Sequence, residues 1–205
     1  MQSTIKEPTT RNAKTTFRAI IEASIELFYK KGYHGTTVNN ITSAAGVAAG
    51  TFYLYFPSKL ELYKHVLIQF SHNIRREIAA KVSQVDSRYE KEREGIKAFI
   101  MLVKKHPEMY NIIWESLYID RALFKNYYET FAERYMKGLN EAVNKKEIRE
   151  VDTEVVSFIL MGITNFIGLK VVLNIGAHND EVDYIVDQVM DLIEHGLFTN
   201  YKAIT

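Results

Sequence analysis

The 205-residue chain contains no cysteine, three prolines and a single tryptophan. Without cysteine it can form no disulfide framework, no thiolate metal site and no cysteine nucleophile. The first fourteen residues are polar and contain no apolar run, so we predict no signal peptide and expect a cytoplasmic protein. With 47% hydrophobic and 25% charged residues, the chain has the composition of a folded domain with a buried core.

The motifs of several enzyme classes are also missing. The six histidines are scattered and none belongs to an H-E-x-x-H motif. No glycine-rich phosphate loop is followed by Lys-Ser or Lys-Thr, and no G-x-S-x-G motif occurs. We therefore expect neither an enzyme nor a bound metal or cofactor, with a small helical enzyme as the alternative.

Charge is distributed unevenly although the net charge is only +1. Residues 1–59 contain seven Lys or Arg and three acids, which gives +4 and leaves −3 for the rest of the chain. A basic front on a mildly acidic body indicates a polyanionic partner at one end. Two interpretations of the polar segment 1–14, with Lys6, Arg11 and Lys14, stay open: an arm along a DNA groove or phosphate run, or a flexible terminus.

Hydrophobic spacing is helical nearly throughout, so the sequence predicts an all-α fold. Gly32 and Gly46 have the positions of helix ends, Thr37 and Ser58 those of N-caps, and Pro107 that of a first helical residue. The predicted helices cover residues 15–31, 37–45, 48–56, 59–82, 95–105, 107 onward, 121–145, 155–173 and 180–198.

Two short helices around Gly46 and Val47 have the size and spacing of a helix-turn-helix, whose second helix enters the major groove of DNA. In that helix Phe52 and Phe56 are four residues apart and are predicted to face the core. The opposite side carries small residues and Tyr53, which lets the backbone approach base edges and thymine methyl groups. The alternative is a tight helical corner whose aromatic residues only pack.

The segment AGVAAGTFYLYFPSKLEL, together with Thr37, Val38 and Ile41, resembles the DNA-binding domain of the TetR family of transcriptional regulators. The resemblance covers about residues 15–63. It implies an N-terminal three-helix helix-turn-helix domain (15–59) after an arm (1–14), joined to a helical effector-binding and dimerisation bundle (60–205).

The resemblance also assigns roles to individual residues. It implies phosphate contacts from Thr36, Thr37, Thr51, Tyr55 and Lys59. Base edges would be approached by Ala48, Ala49, Gly50 and Tyr53. Many family members carry a basic or amide residue where Ala49 stands, so bidentate base recognition from this position is not expected here.

Two apolar segments near the end of the chain predict an interface. Residues 155–173 are apolar almost all round, which favours a helix buried on every side over a membrane span. Residues 180–198 carry a seam at coiled-coil spacing. We expect a homodimer through these two helices; a core within one chain is the alternative.

Aromatic residues are frequent in the body, where core packing and the wall of an effector pocket both explain them. The residues assigned to a lipophilic effector pocket are Phe99, His106, Tyr110, Trp114, Tyr118, Tyr128, Phe131, Phe158, Met161 and Asn165. The resemblance then implies a dimeric repressor that binds a palindromic operator and is released when an effector shifts helix 59–82. A DNA-binding protein without effector response is the other alternative.

Overall fold

The structure is a computed structural model that describes residues 5, 6, 8–175 and 181–197. All regular structure in these residues is helical, which confirms the all-α prediction. The helices are α1 (Arg11–Lys31), α2 (Val38–Ala44), α3 (Ala49–Tyr55), α4 (Lys59–Val82), α5 (Arg88–Lys105), α6 (Pro107–Ile119), α7 (Arg121–Asn144), α8 (Thr153–Val172) and α9 (Val182–His195). Asp180 and Phe198, the predicted ends of the last helix, lie outside the described residues.

Three helices begin earlier than predicted: α8 by two residues, and α1 and α5 by four and seven. Helix α1 begins at Arg11 because Thr10 caps it, accepting a 3.3 Å hydrogen bond from the amide of Ala13. Residues 11–14 of the predicted arm are therefore helical. Helix α5 begins at Arg88, where Ser87 and Glu90 satisfy each other's amides in a capping box. The predicted starts of α1 and α5 were wrong because they followed apolar spacing and overlooked a polar cap.

The chain divides into two compact units. The first contains residues 1–73 and 106–130, and the second contains residues 74–105 and 131–205. Helices α4 and α7 each contribute to both units. The functional division of the chain at residue 59 stays a prediction.

The core of the first unit is built around aromatic residues. Phe52 and Phe56 are fully buried, as predicted, and Phe17 stacks on Phe56 with ring centroids 5.0 Å apart. Phe28 meets Tyr63 edge to face at 5.2 Å. Because these rings come from α1, α3 and α4, their burial fixes the position of α3 within this unit.

The core of the second unit joins α5 to α8 and α9. Ile96 and Ile100 of α5 pack with Ile185, Val186 and Val189 of α9. These α9 residues belong to the seam that was predicted to face a second chain. In the structure the chain's own α5 and α8 cover this part of the seam, so these three residues pack within the chain, while a homodimer through the last two helices stays a prediction.

Helix α8 is less buried than its composition predicts. Val155, Phe158, Ile159 and Phe166 are between 46% and 64% exposed, so the expectation of a helix buried on every side is wrong within this chain. By length and composition alone α8 could also cross a membrane. Core helices of soluble proteins have the same composition, so this feature alone does not indicate a membrane span.

Candidate nucleic-acid interface

The turn between α2 and α3 is held by local hydrogen bonds. Thr37 accepts from the amide of Asn40 at 3.1 Å, and the Asn40 side chain accepts from the amide of Thr37 at 3.0 Å. Gly46 has a φ of 67°, a backbone conformation that side chains disfavour. The amide of Val47 then returns to the carbonyl of Thr42 at 2.9 Å. The capped helix and the glycine turn together set the angle at which α3 leaves α2.

Helix α3 has a buried side and an exposed side of mostly small residues, which we call the bare side. Phe52 is fully buried, whereas Ala48, Ala49 and Gly50 are exposed and Tyr53 is 58% exposed. Apart from its chain neighbours and the backbone of its own helix, a methyl group added to Gly50 would have no atom of the described residues within 4 Å. Glycine inside a helix costs about 0.5–1 kcal/mol relative to alanine. Packing within the protein therefore does not require glycine here, and the position is open to a partner that approaches from outside.

Leu54 was missed by the sequence analysis. Its side chain is 63% exposed beside Tyr53. The signal was present, because position 54 is four residues after Gly50 and so belongs to the bare side. An exposed leucine provides an apolar contact of the kind that recognises a thymine methyl group.

Two of the predicted phosphate contacts are occupied within the protein. Thr36 is fully buried, and its hydroxyl donates to the carbonyls of Leu27 at 3.2 Å and Gly32 at 2.8 Å. The structure therefore removes the Thr36 side chain from the candidate phosphate contacts. Tyr55 is half-buried, and its hydroxyl donates to the carbonyl of Ala13 at 3.4 Å.

Lys59 fixes the start of α4 to the turn that follows α1. Its ammonium donates to the carbonyls of Tyr33 at 2.7 Å and Thr36 at 2.6 Å, and lies 4.0 Å from the centre of the Tyr33 ring. Partial burial lowers the pKa of Lys59, and the nearby Glu115 carboxylate opposes this shift. Phosphate contacts from Lys59, and from the hydroxyls of Thr37 and Thr51, stay predictions.

Helix α6 is joined to the same turn by a carboxylate. The Glu115 side chain accepts from the amide of Tyr33 at 2.7 Å. Gly32 permits this approach, because a Cβ there would lie 2.9 Å from the carboxylate oxygen, and its φ of 70° also favours glycine. Tyr63 of α4 donates to the carbonyl of Ile112 at 2.5 Å. Helix α6 therefore holds both the turn before α2 and the first part of α4.

The residues assigned to an effector pocket fall in both units. His106, Tyr110, Trp114, Tyr118 and Tyr128 belong to the first unit, and Phe99, Phe131, Phe158, Met161 and Asn165 belong to the second. In the first unit, rings follow one another from Tyr110 to Trp114, Phe124 and Tyr128, with centroids 4.8–6.3 Å apart. Burial raises the pKa of Tyr110 to about 12.

Several members of this set are placed differently from expectation. Tyr118 is 84% exposed, so it lines no enclosed pocket in this chain. His106 occupies the N-cap position of α6, is half-buried, and has Nδ1 3.0 Å from Glu108 Oε1. The Asn165 amide donates to the carbonyl of Met161 in its own helix at 2.8 Å and so needs no ligand to satisfy that N–H group. No group of three or more His, Asp or Glu within the described residues could hold a metal ion.

Comparison with known proteins identifies the first helices. Residues 20–66 match the family described as bacterial regulatory proteins, tetR family. The HTH-type transcriptional regulator YvdT of Bacillus subtilis is 24% identical over 91% of this chain and 93% of its own length. The chain spans less than half the length of the next three relatives.

Solved structures share the fold over most of the chain. FadR of Bacillus subtilis, in complex with stearoyl-CoA, is 22% identical, with a TM-score of 0.75, and the match covers 89% of this chain and all of that one. AibR, in complex with isovaleryl coenzyme A and operator DNA, is 20% identical, with a TM-score of 0.69, over 86% of this chain and 97% of that one. These proteins are regulators and not enzymes. The helix-turn-helix geometry and the matched segment together identify residues 20–66 as similar to the DNA-binding segment of the bacterial regulatory proteins of the tetR family.

Proposed function

We propose that the protein is a cytoplasmic repressor that binds a two-fold symmetric DNA operator as a dimer and is released by an acyl-CoA or a similar lipophilic effector. The bare, exposed side of α3 carries this proposal. Ala49 and Gly50 let the helix backbone approach the base edges. Tyr53 and Leu54 are exposed at the edge of the bare side. Readout then depends on methyl contacts and DNA shape, since no long side chain precedes Thr51.

Gly50 provides the test of this interface. Gly50→Ala and Gly50→Leu are expected to keep or raise stability, because both residues form helices better than glycine and the position is open. Gly50→Leu should nevertheless weaken operator binding at least about tenfold, since a branched side chain holds the backbone away from the bases. An operator is first selected from random duplexes, and affinities are then measured by fluorescence anisotropy.

Gly95→Ala is the matched control for this experiment. Gly95 lies within α5, and an added methyl group would make only ordinary contacts of 3.7 Å or more. This variant should keep the wild-type affinity. Full operator affinity in Gly50→Leu, or no sequence preference in the wild-type selection, would remove the bare side of α3 from DNA recognition.

The exposed apolar residues of α8 support a dimer. Val155, Phe158, Ile159 and Phe166 recur at helical spacing and lie on one side of α8. Tyr184 and Leu192 add exposed apolar surface on α9. A second copy of the chain is the proposed occupant, because an isologous contact covers the same patch on both copies and the TetR-family regulators that this chain resembles act as dimers. Two recognition helices about 34–36 Å apart then meet successive half-sites.

The proposed effector carries an acyl chain. FadR and AibR share the fold and were solved with acyl-CoA molecules. The aromatic cluster of Tyr110, Trp114 and Tyr128 supplies apolar surface with polar groups, the lining that a lipophilic ligand requires. Stearoyl-CoA and isovaleryl-CoA should release operator DNA, whereas free coenzyme A should not. A ligand-independent DNA-binding protein would respond to none of them.

Glu115 is expected to couple effector binding to DNA release. Glu115→Ala leaves the amide of Tyr33 without its acceptor and removes a charged neighbour of Lys59. Loss of this charge-assisted hydrogen bond should cost about 1.5–3 kcal/mol of unfolding free energy. It should also reduce the ratio of operator affinities measured without and with acyl-CoA, because α6 no longer holds the turn before α2.

Glu115→Gln is the conservative comparison, because an amide oxygen can still accept the Tyr33 hydrogen bond without the charge. It should retain part of the coupling. If Glu115→Ala folds and shows the full wild-type ratio, the coupling does not pass through this contact.

A further inference from the structure

We propose that Lys6, Arg11 and Lys14 form a basic face that contacts the DNA phosphates flanking each half-site. This inference rests on the proposed function and adds a second contact surface to α3. It concerns backbone phosphates outside the bases that α3 would read.

The segment before α1 is attached to the end of α3. The amide of Lys6 donates to the carbonyl of Tyr55 at 3.3 Å. The Tyr55 hydroxyl in turn donates to the carbonyl of Ala13 in the first turn of α1. Ile5 and Pro8 are half-buried. Tyr55 therefore joins α3 both to the segment that carries Lys6 and to the turn that carries Arg11 and Lys14.

The three cations are exposed and serve no visible structural purpose. None of them makes an ion pair with a residue in the described part of the chain, and each is exposed. Arg11 and Lys14 are in the first turn of α1, which has no acidic residue. Positive charge in a first turn opposes the helix dipole, so these residues do not stabilise α1. They are explained better by an external anion.

Duplex DNA is the anion that fits this surface. Arg11 and Lys14 are three residues apart and share one side of α1, on which Arg18 continues the positive charge one turn later. Glu7 is the only acid between residues 5 and 18. The attachment to Tyr55 keeps this face close to the C-terminal end of α3. A protein at the edge of its half-site meets phosphates there regardless of sequence.

The test compares the wild type with the triple variant Lys6→Gln, Arg11→Gln, Lys14→Gln in the full chain. Operator affinity is measured across a series of salt concentrations. Each phosphate contact contributes about −0.9 to the slope of log affinity against log salt concentration. Loss of three contacts should therefore make the slope less negative by about 2.7 per half-site. Hydroxyl-radical protection just outside each half-site should be lost, while the selected operator sequence stays the same.

Lys137→Gln is the control for one neutralised cation, because it removes a single positive charge from an exposed position of α7 in the second unit. Its slope and footprint should match the wild type. An unchanged slope and footprint in the triple variant, with wild-type binding intact, overturns the basic face alone. Failure of the wild type to prefer any duplex would instead overturn the proposed function. Thermal unfolding of all variants checks that the exposed substitutions leave the fold intact.

Discussion

Replacing Phe166 by arginine is expected to convert the dimer into monomers and to weaken binding to a complete operator about a hundredfold or more. Phe166 is 64% exposed near the middle of α8, on the side proposed to face the second copy. At an isologous interface a single substitution places a charge on both partners, and burying an unpaired guanidinium is unfavourable. Monomers lose the advantage of binding two linked half-sites at once. Light scattering after size-exclusion chromatography reports the mass, and anisotropy reports affinity.

Tyr118→Arg is the matched control for this prediction. Tyr118 is an exposed aromatic residue on α6 and therefore outside the proposed dimer face. The variant should remain dimeric and should bind the complete operator as the wild type does. Phe166→Arg should keep its affinity for an isolated half-site, since α3 is unchanged. A dimeric Phe166→Arg with wild-type affinity would show that the second copy does not cover α8.

The helix-turn-helix could be predicted in detail because its signals are local. Thr37 caps α2 by accepting a hydrogen bond from the amide of Asn40, only three residues later. Gly46 provides the positive φ of the turn. Phe52 and Phe56 are on the inner side because of their spacing alone. Such interactions span at most a few residues, so a single sequence contains both partners.

The partners of polar residues in the site could not be predicted in the same way. Thr36 and Lys59 have the residue types of phosphate contacts, yet both donate to backbone carbonyls. Every residue has a backbone carbonyl, so the sequence does not show which carbonyl will accept a given hydrogen bond. Glu115 illustrates the same difficulty, since its acceptor role depends on an amide 82 positions away.

Hydrophobic periodicity also does not reveal which helix covers an apolar seam. The spacing in α9 correctly marks residues that need burial, but it does not say whether the covering helix belongs to the same chain. Ile185, Val186 and Val189 are covered by the second unit's own helices. The apolar residues that remain exposed on α8 have no better spacing than those of α9. Only the folded structure distinguishes the α9 residues that are buried within the chain from the α8 residues that remain exposed.

The second unit contains a buried polar network whose disruption should have the largest effect on stability. Arg88 donates to Glu92 one turn later in α5, and the Tyr135 hydroxyl donates to the same carboxylate. Glu92 is 6% exposed. Burial and the Glu92 carboxylate hold the pKa of Tyr135 well above its ordinary value, so the phenol remains a donor at every physiological pH.

Glu92→Leu should therefore lower the unfolding free energy by about 3–5 kcal/mol, as expected when one partner of a buried ion pair is removed. The substitution leaves the Arg88 guanidinium without its carboxylate and the Tyr135 hydroxyl without its acceptor. Urea unfolding followed by circular dichroism measures the change. A loss below about 1 kcal/mol would mean that water reaches both groups and that the network is not effectively buried.

The triple variant Arg88→Met, Glu92→Leu, Tyr135→Phe separates the cost of broken pairing from the value of the network itself. It removes all three polar groups while keeping side chains of similar volume, and such replacements are often neutral or stabilising. Recovery of most of the lost stability is therefore expected. Gly138 gives a further check, because a Cβ there would lie 2.9 Å from the Arg88 guanidinium. Gly138→Ala should destabilise the wild type more than the triple variant, since the flexible methionine can move aside whereas the paired guanidinium is held in place.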